Sequence, residues 1–364
     1  TQQAFAAILS DGSVVTWGVA SYGGDSSRVQ HELRDVKRVQ GTDYAFAAIL
    51  ADGFVVTWGD PRAGGDSSGA QVRLRNVRQV QATKGAFAAI LSDLSIVTWG
   101  KGEFGGDSSA VGKQLRGVQE LQGAGRAFAA VLVDGSVVTW GNPYAGGDST
   151  AVEDQLKHVQ QVQAAGRAFA AIRTDRSVVT WGIPHVGGDS SAVQDQLKHV
   201  QQVQASGFAF AVICQEGSVV TWGRPDAGGD SSAVQDQLRN VQQIQATGRA
   251  FAAILADGSV VTWGNEKDGG CSREVQDQLQ NVEQIQATEC AFAAILQNGF
   301  VVTWGDPEYG GDSSEVRDQL RNVRQVEATE RAFAAILADG SVVTWGDERC
   351  GGNNSKVKDE VANL

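Results

Sequence analysis

The sequence predicts an all-β repeat fold, a β-propeller of nine 41-residue units, and three observations carry that prediction. Tryptophan recurs at Trp17, Trp58, Trp99, Trp140, Trp181, Trp222, Trp263, Trp304 and Trp345, always between Thr and Gly and always in steps of 41. Phenylalanine keeps the same step at Phe5, Phe46, Phe87, Phe128, Phe169, Phe210, Phe251, Phe292 and Phe333. Each repeat also holds two short apolar runs around a turn, AFAAIL and SVVTWG in residues 332–346, a hairpin signature. No insertion breaks the register, so residues 1–364 read as a single repeat domain.

The hairpin is the clearest element. Asp339-Gly340 separates its strands, and Gly supplies the positive φ of a two-residue primed turn. Both strands are apolar on both faces, as expected of sheets sandwiched between neighbouring sheets. A Gly-Gly loop follows, Gly310-Gly311-Asp312-Ser313-Ser314, and then residues 315–329. There Val316, Leu320, Val323 and Val326 are spaced 4, 3 and 3, which predicts a helical turn over SSEVRDQL and then a strand over 323–328.

A repeat with two or three strands cannot bury both faces alone, so the repeats must stack. Neither end carries polar capping repeats, and closure into a ring removes the need for them. Nine units of 41 make 369 residues, five more than the chain has. A closed propeller is therefore preferred, with an open superhelical array of ββα units as the alternative. The chain starts partway through a repeat and has no methionine, which suggests a processed product or a segment of a longer polypeptide.

The repeat resembles that of the regulator of chromosome condensation family. The shared features are an apolar strand, Asp-Gly, a Val-rich strand ending in Trp-Gly, and a Gly five residues further on, here Gly310 after Trp304-Gly305. The lead-in LRNVRQVEAT is similar to the family's strand before the hairpin. The form is divergent and short, similar to TWG repeats of predicted dinoflagellate proteins. The family's repeats are usually about 50 residues and seven in number; its Gly-x-x-His-Ser is here Thr329, Ala332 and Phe333, and its Gly-Gln-Leu-Gly is Gly310-Gly311-Asp312-Ser313. The resemblance implies a propeller blade with a reduced outer strand. Nucleotide exchange on the small GTPase Ran and chromatin binding do not carry over, because no basic tail or loop insertion marks one blade out.

Composition narrows the function. A net charge of -12 disfavours nucleic acid as a partner, and no window is apolar enough to insert into a membrane. Cys214, Cys271, Cys290 and Cys350 occupy four different positions in the repeat, which reads as scattered reduced thiols in a soluble intracellular protein. No hydrolase triad, phosphate loop or HExxH motif is present, so the expectation is a non-enzymatic scaffold needing no cofactor and no metal. The series Asp25, Asp66, Asp107, Asp148, Asp189, Asp230 and Asp312 reads either as a cation-binding or basic-partner face or, preferably, as turn caps. The tryptophans read as packing residues and the four histidines (His31, His158, His185, His199) as surface residues.

Function is then expected where the copies differ. One variable stretch lies between Trp-Gly and Gly-Gly, the other just before the AF strand. The candidate partner rim drawn from them comprises Tyr22, Tyr44, Arg62, Phe104, Arg126, Tyr144, Arg167, His185, Phe208, Arg224, Arg249, Tyr309 and Arg331. The expected partner is another protein. A structural module of a larger protein, with self-association, is the alternative, and an exchange factor ranks last.

Overall fold

The computed structural model describes residues 1–355 and 357. Eight repeats each form a three-stranded antiparallel sheet, and the first forms a two-stranded one from Ala4–Ile8 and Val14–Gly18. In the ninth repeat the lead-in strand is Val323–Ala328, the central strand Ala332–Leu337 and the Trp-Gly strand Val342–Gly346, with the central strand in the middle. The lead-in strand expected over 323–328 is thus present. Among the described residues no strand is shared between two sheets, so there the sheets are not closed by strand pairing. The chain divides into two compact halves, Thr1–Asp175 with Val179–Pro184, and Arg176–Val178 with His185–Leu364.

The stacking follows from the alternation in the central strand. In the second repeat Ala45, Ala47 and Ile49 point to one side, where they pack with Phe87, Ala89 and Trp99 of the third repeat. Small residues on one face leave room for the neighbour's phenylalanine on the other. The same division recurs in the second half, where Ala250, Ala252 and Ile254 meet Phe292, Ala294 and Trp304. Phe87, Phe251 and Phe292 are fully buried, and burial of each stabilises the stack by about 2 kcal/mol.

Each tryptophan stacks on the phenylalanine of its own repeat, with ring centroids 5.2 Å apart for Phe46 and Trp58. From Trp58 onward the indole N–H then donates to a glycine carbonyl of the preceding repeat: Trp58 to Gly23 at 2.9 Å, Trp263 to Gly228 at 3.0 Å. Gly23 has φ +89°, and a Cβ there would lie 2.6 Å from the ring of Phe46, so both backbone and space demand glycine. Neighbouring repeats are also joined backbone to backbone. Asp43 N–H donates to the Lys84 carbonyl and Lys84 N–H to that of Gly125, both at 3.1 Å; Glu289 N–H donates to the Glu330 carbonyl at 2.9 Å.

The outer edge of the sheets is closed by side chains. Gln30, Gln71, Gln194, Gln235 and Gln276 each donate from Nε2 to the carbonyl of the first residue of their Trp-Gly strand, at 2.8–3.1 Å. Each accepts at Oε1 from a buried serine hydroxyl, Ser26, Ser67, Ser190, Ser231 and Ser272 respectively. An amide that both accepts and donates satisfies an edge that would otherwise be open to foreign strands.

One local expectation is corrected and one is sharpened. The hairpin is not a two-residue primed turn. Gly340 N–H donates to Leu337 and Leu337 N–H to Ser341, which is a three-residue loop with Gly340 (φ +86°) as the left-handed residue. The helical turn expected over SSEVRDQL is present but short, a 3₁₀ turn over Ser314–Val316. The helical spacing arose from one buried anchor, Leu320, followed by the inward residues Val323 and Val326 of the lead-in strand. Between anchor and strand the chain turns through a left-handed residue, Asn322 with φ +56°, which stops helix growth.

That left-handed position holds Asp35, Asn76, Gly117, His158, His199, Asn240, Asn281 and Asn322. All are types that tolerate positive φ. His158 and His199 are exposed there and act as turn residues.

The hairpin glycine is replaced twice, by Leu94 (φ 64°) and Arg176 (φ 65°). A non-glycine residue held there costs about 1–2 kcal/mol, partly offset by the entropy glycine loses on folding. Arg176→Gly is therefore expected to stabilise the chain by about 1 kcal/mol, read as a higher urea midpoint with an unchanged slope. An unchanged or lower midpoint contradicts the assignment.

Candidate functional site

The two variable stretches, distant in the repeat sequence, lie side by side. The loop after Trp-Gly is tied to the residue before the central strand by a backbone bond, as in Asp60 N–H to the Tyr44 carbonyl, Arg224 to Phe208 and Asp347 to Arg331, each at 3.0 Å. A second tie comes from the hydroxyl at the end of the lead-in strand. Thr83 donates to the Phe104 carbonyl at 2.9 Å, Thr288 to that of Tyr309 at 3.0 Å and Ser206 to that of Ala227 at 3.1 Å. Both candidate surfaces are therefore one rim.

On this rim the non-repeating side chains pair across repeats. In the first half Tyr22 packs on Tyr44, ring centroids 4.8 Å apart. Phe104 lies between Lys101 at 5.0 Å and Arg126 at 4.8 Å. In the second half Phe208 is flanked by Arg224 at 5.5 Å and Arg249 at 5.6 Å. Arg331 lies 4.6 Å from the ring of Tyr309 and 3.9 Å from the Asp347 carboxylate. A guanidinium over a ring face contributes about 0.5–1 kcal/mol and holds an arginine upright at little entropic cost.

Not every candidate joins these pairs. Arg62, Tyr144 and His185 sit in 3₁₀ turns, exposed, with Tyr144 83% accessible, and among the described residues they make no ring contact or ion pair. Arg167 is likewise exposed. The rim also contains residues that sequence reasoning passed over. Lys101 stacks on Phe104, Asp226 holds Arg224 through two hydrogen bonds, and Asp347 binds both Arg331 and Arg349. Their signal was available, since all lie in the same variable loop. The Cys290 thiol sits on the rim as well, and burial together with the Asp268 carboxylate pushes its ionisation upward, away from a reactive thiolate.

The aspartate series is occupied locally. Asp25, Asp66, Asp107, Asp189, Asp230 and Asp312 accept the backbone N–H two residues on, all at 2.9 Å, and Asp148 does so at 3.0 Å. Asn353 makes the same bond to Ser355. Among the described residues no group of three His, Cys, Asp or Glu side chains is placed to hold a metal ion. No helix among them is long and apolar enough to cross a membrane.

The hairpin aspartates behave alike. Asp339 accepts from both the hydroxyl and the N–H of Ser341, and these bonds hold its carboxyl below the usual range. Asp11, Asp93, Asp134 and Asp257 are lowered in the same way by Ser13, Ser95, Ser136 and Ser259. A group whose ionisation is depressed on folding adds stability above its unfolded pKa and loses it as pH falls through the folded one. The melting temperature is therefore expected to be flat from neutral pH to about 5 and to fall progressively below about 4. Thermal melts across that range check this; a loss of stability that begins above pH 5 contradicts it.

No family model matches the chain, and no curated protein matches it. Solved structures do. The ectodomain of the Physcomitrella patens receptor kinase CR4 is 16% identical, with a TM-score of 0.45, covering 72% of this chain and 70% of that one. Yeast RCC1 (Prp20), solved bound to Kap60, is 14% identical, with a TM-score of 0.44, covering 96% and 80%. Human WBSCR16 is 14% identical, with a TM-score of 0.44, covering 93% and 95%.

Proposed function

We propose that the chain is a non-enzymatic protein-interaction scaffold that binds another protein through its rim. The observation that carries this reading is the convergence of the two variable stretches on one surface. Packing and turn geometry account for the invariant residues, and the side chains left over include tyrosines, phenylalanines and arginines. Those types dominate binding energy at protein interfaces. Pre-stacked arginines and rings lose little freedom on binding, which favours their use as anchors.

A second reading, a rigid structural module, is supported by the backbone bonds that join neighbouring repeats. It differs in expecting a uniform surface, which the clustered aromatic–arginine pairs do not provide.

Affinity capture with quantitative mass spectrometry tests the rim. Phe104→Ala with Arg126→Ala, and Phe208→Ala with Arg249→Ala, are expected to lose captured protein at least about tenfold, since each anchor removed costs more than about 1 kcal/mol. Substituting the hairpin tips at Asp52 and Asp257 is expected to leave capture unchanged. Capture that survives the rim changes, or is lost with the hairpin changes, overturns the assignment.

The blades are further proposed to close into a propeller. Small-angle scattering is expected to show a compact disc; a rod-like profile favours the open array.

A further inference from the structure

The glutamine that closes the outer sheet edge is missing from four repeats. The third, fourth, eighth and ninth carry Gly112, Glu153, Arg317 and Lys358 at its position, of which Lys358 lies outside the described residues. Accessibility changes with it. In the five glutamine repeats the first residue of the Trp-Gly strand is at most 2% exposed, and the partner serine at most 6%. In the third, fourth and eighth repeats that first residue is only half-buried, as are Ser108 and Ser149.

What remains at the edge of the eighth repeat is the complete counterpart of the glutamine. The Val301 carbonyl is an acceptor without an amide donor. The Ser313 hydroxyl accepts from Thr303 at 3.0 Å, just as Ser67 accepts from Thr57 at 3.1 Å, so its own hydrogen is available to donate. Arg317 is exposed, and among the described residues it makes no hydrogen bond to Val301. In front of this pair lies a groove of about 780 Å³, running along residues 301–307 and bounded by Ser313, Arg317 and, from the seventh repeat, Lys267 and Arg273.

We infer that this groove binds the side-chain amide of a glutamine carried on a partner polypeptide. The chemistry is selective. A carboxylate would repel the Val301 carbonyl, and an ammonium would offer Ser313 no acceptor. Only a group that donates and accepts at adjacent atoms satisfies both. The five glutamine repeats show the fit within the same chain: amide to carbonyl at 2.8–3.1 Å and serine to amide oxygen at 2.7–3.0 Å. The groove reaches the rim loops at Asp306, Pro307 and Lys267 but includes none of the aromatic–arginine pairs, so the inference stands without them.

Titrating the isotopically labelled chain with acetyl-Ala-Gln-Ala-amide tests the inference by NMR. Saturable shifts are expected at residues 301–304 and 312–317, and none with acetyl-Ala-Leu-Ala-amide. Ser313→Ala is expected to weaken binding about tenfold, the worth of one buried hydrogen bond. Arg317→Gln supplies the internal amide found in the sibling repeats, so it leaves the fold intact and should abolish the saturable shifts. Equal binding of the leucine peptide, persistence of the shifts in Arg317→Gln, or no shift up to the solubility of the glutamine peptide each overturns the proposal.

Discussion

Everything in this chain depends on how one repeat grips the next, and the grip is a tryptophan N–H on a glycine carbonyl. Such bonds run from Trp58 to Trp345, at 2.9–3.1 Å. Each contributes about 1 kcal/mol directly. Its larger effect is geometric. The indole N–H is buried and must find an acceptor, so the neighbouring Gly-Gly loop is fixed in place. The same loop lies against the phenylalanine ring beneath the indole, at a distance only glycine permits. Trp, Phe and Gly-Gly are thus one device spread over two repeats, and none can change alone. Identical copies in steps of 41 are the outcome.

A framework so constrained separates positions sharply. Ties from the backbone and from Thr83 or Thr288 hold the loop after Trp-Gly beside the end of the lead-in strand. Its last position reaches the core, where Phe104 and Tyr309 pack half-buried and Ala145 is buried, so the packing there accepts side chains of different size. The rim can therefore carry Phe104 beside Arg126 in one place and Ala145 in an equivalent place, with the same backbone beneath.

The period, the hairpin and the lead-in strand were legible in the sequence because each is written nine times in residue types that have one main use. The turn types were less so. Asp-Gly is compatible with two hairpin loops, and only the hydrogen bonds of Leu337 and Gly340 distinguish them. The helical spacing from Val316 to Val326 overstates the length of the turn because a buried anchor and an alternating strand, set end to end, imitate a 3.6-residue period. The union of the two variable stretches was not legible at all. It is set by main-chain bonds between residues such as Arg224 and Phe208, whose side chains carry no record of them.

The glutamine position shows the converse. Its role became visible only once Gln71 was seen bonded to Ser67 and to Val55, yet the departures from it were in plain view as Gly112, Glu153, Arg317 and Lys358. A departure at a packing position damages the stack, so Trp and Phe show none. At the edge, water can replace the lost amide bonds at small cost, so a departure is tolerated and exposes polar backbone that elsewhere is covered. Loosely constrained positions in a repeat protein are therefore of two kinds. Rim positions vary because the loop that carries them is held by its backbone and accepts side chains of different size. Edge positions vary because solvent, or a partner that brings its own amide, can take the place of the side chain that is gone.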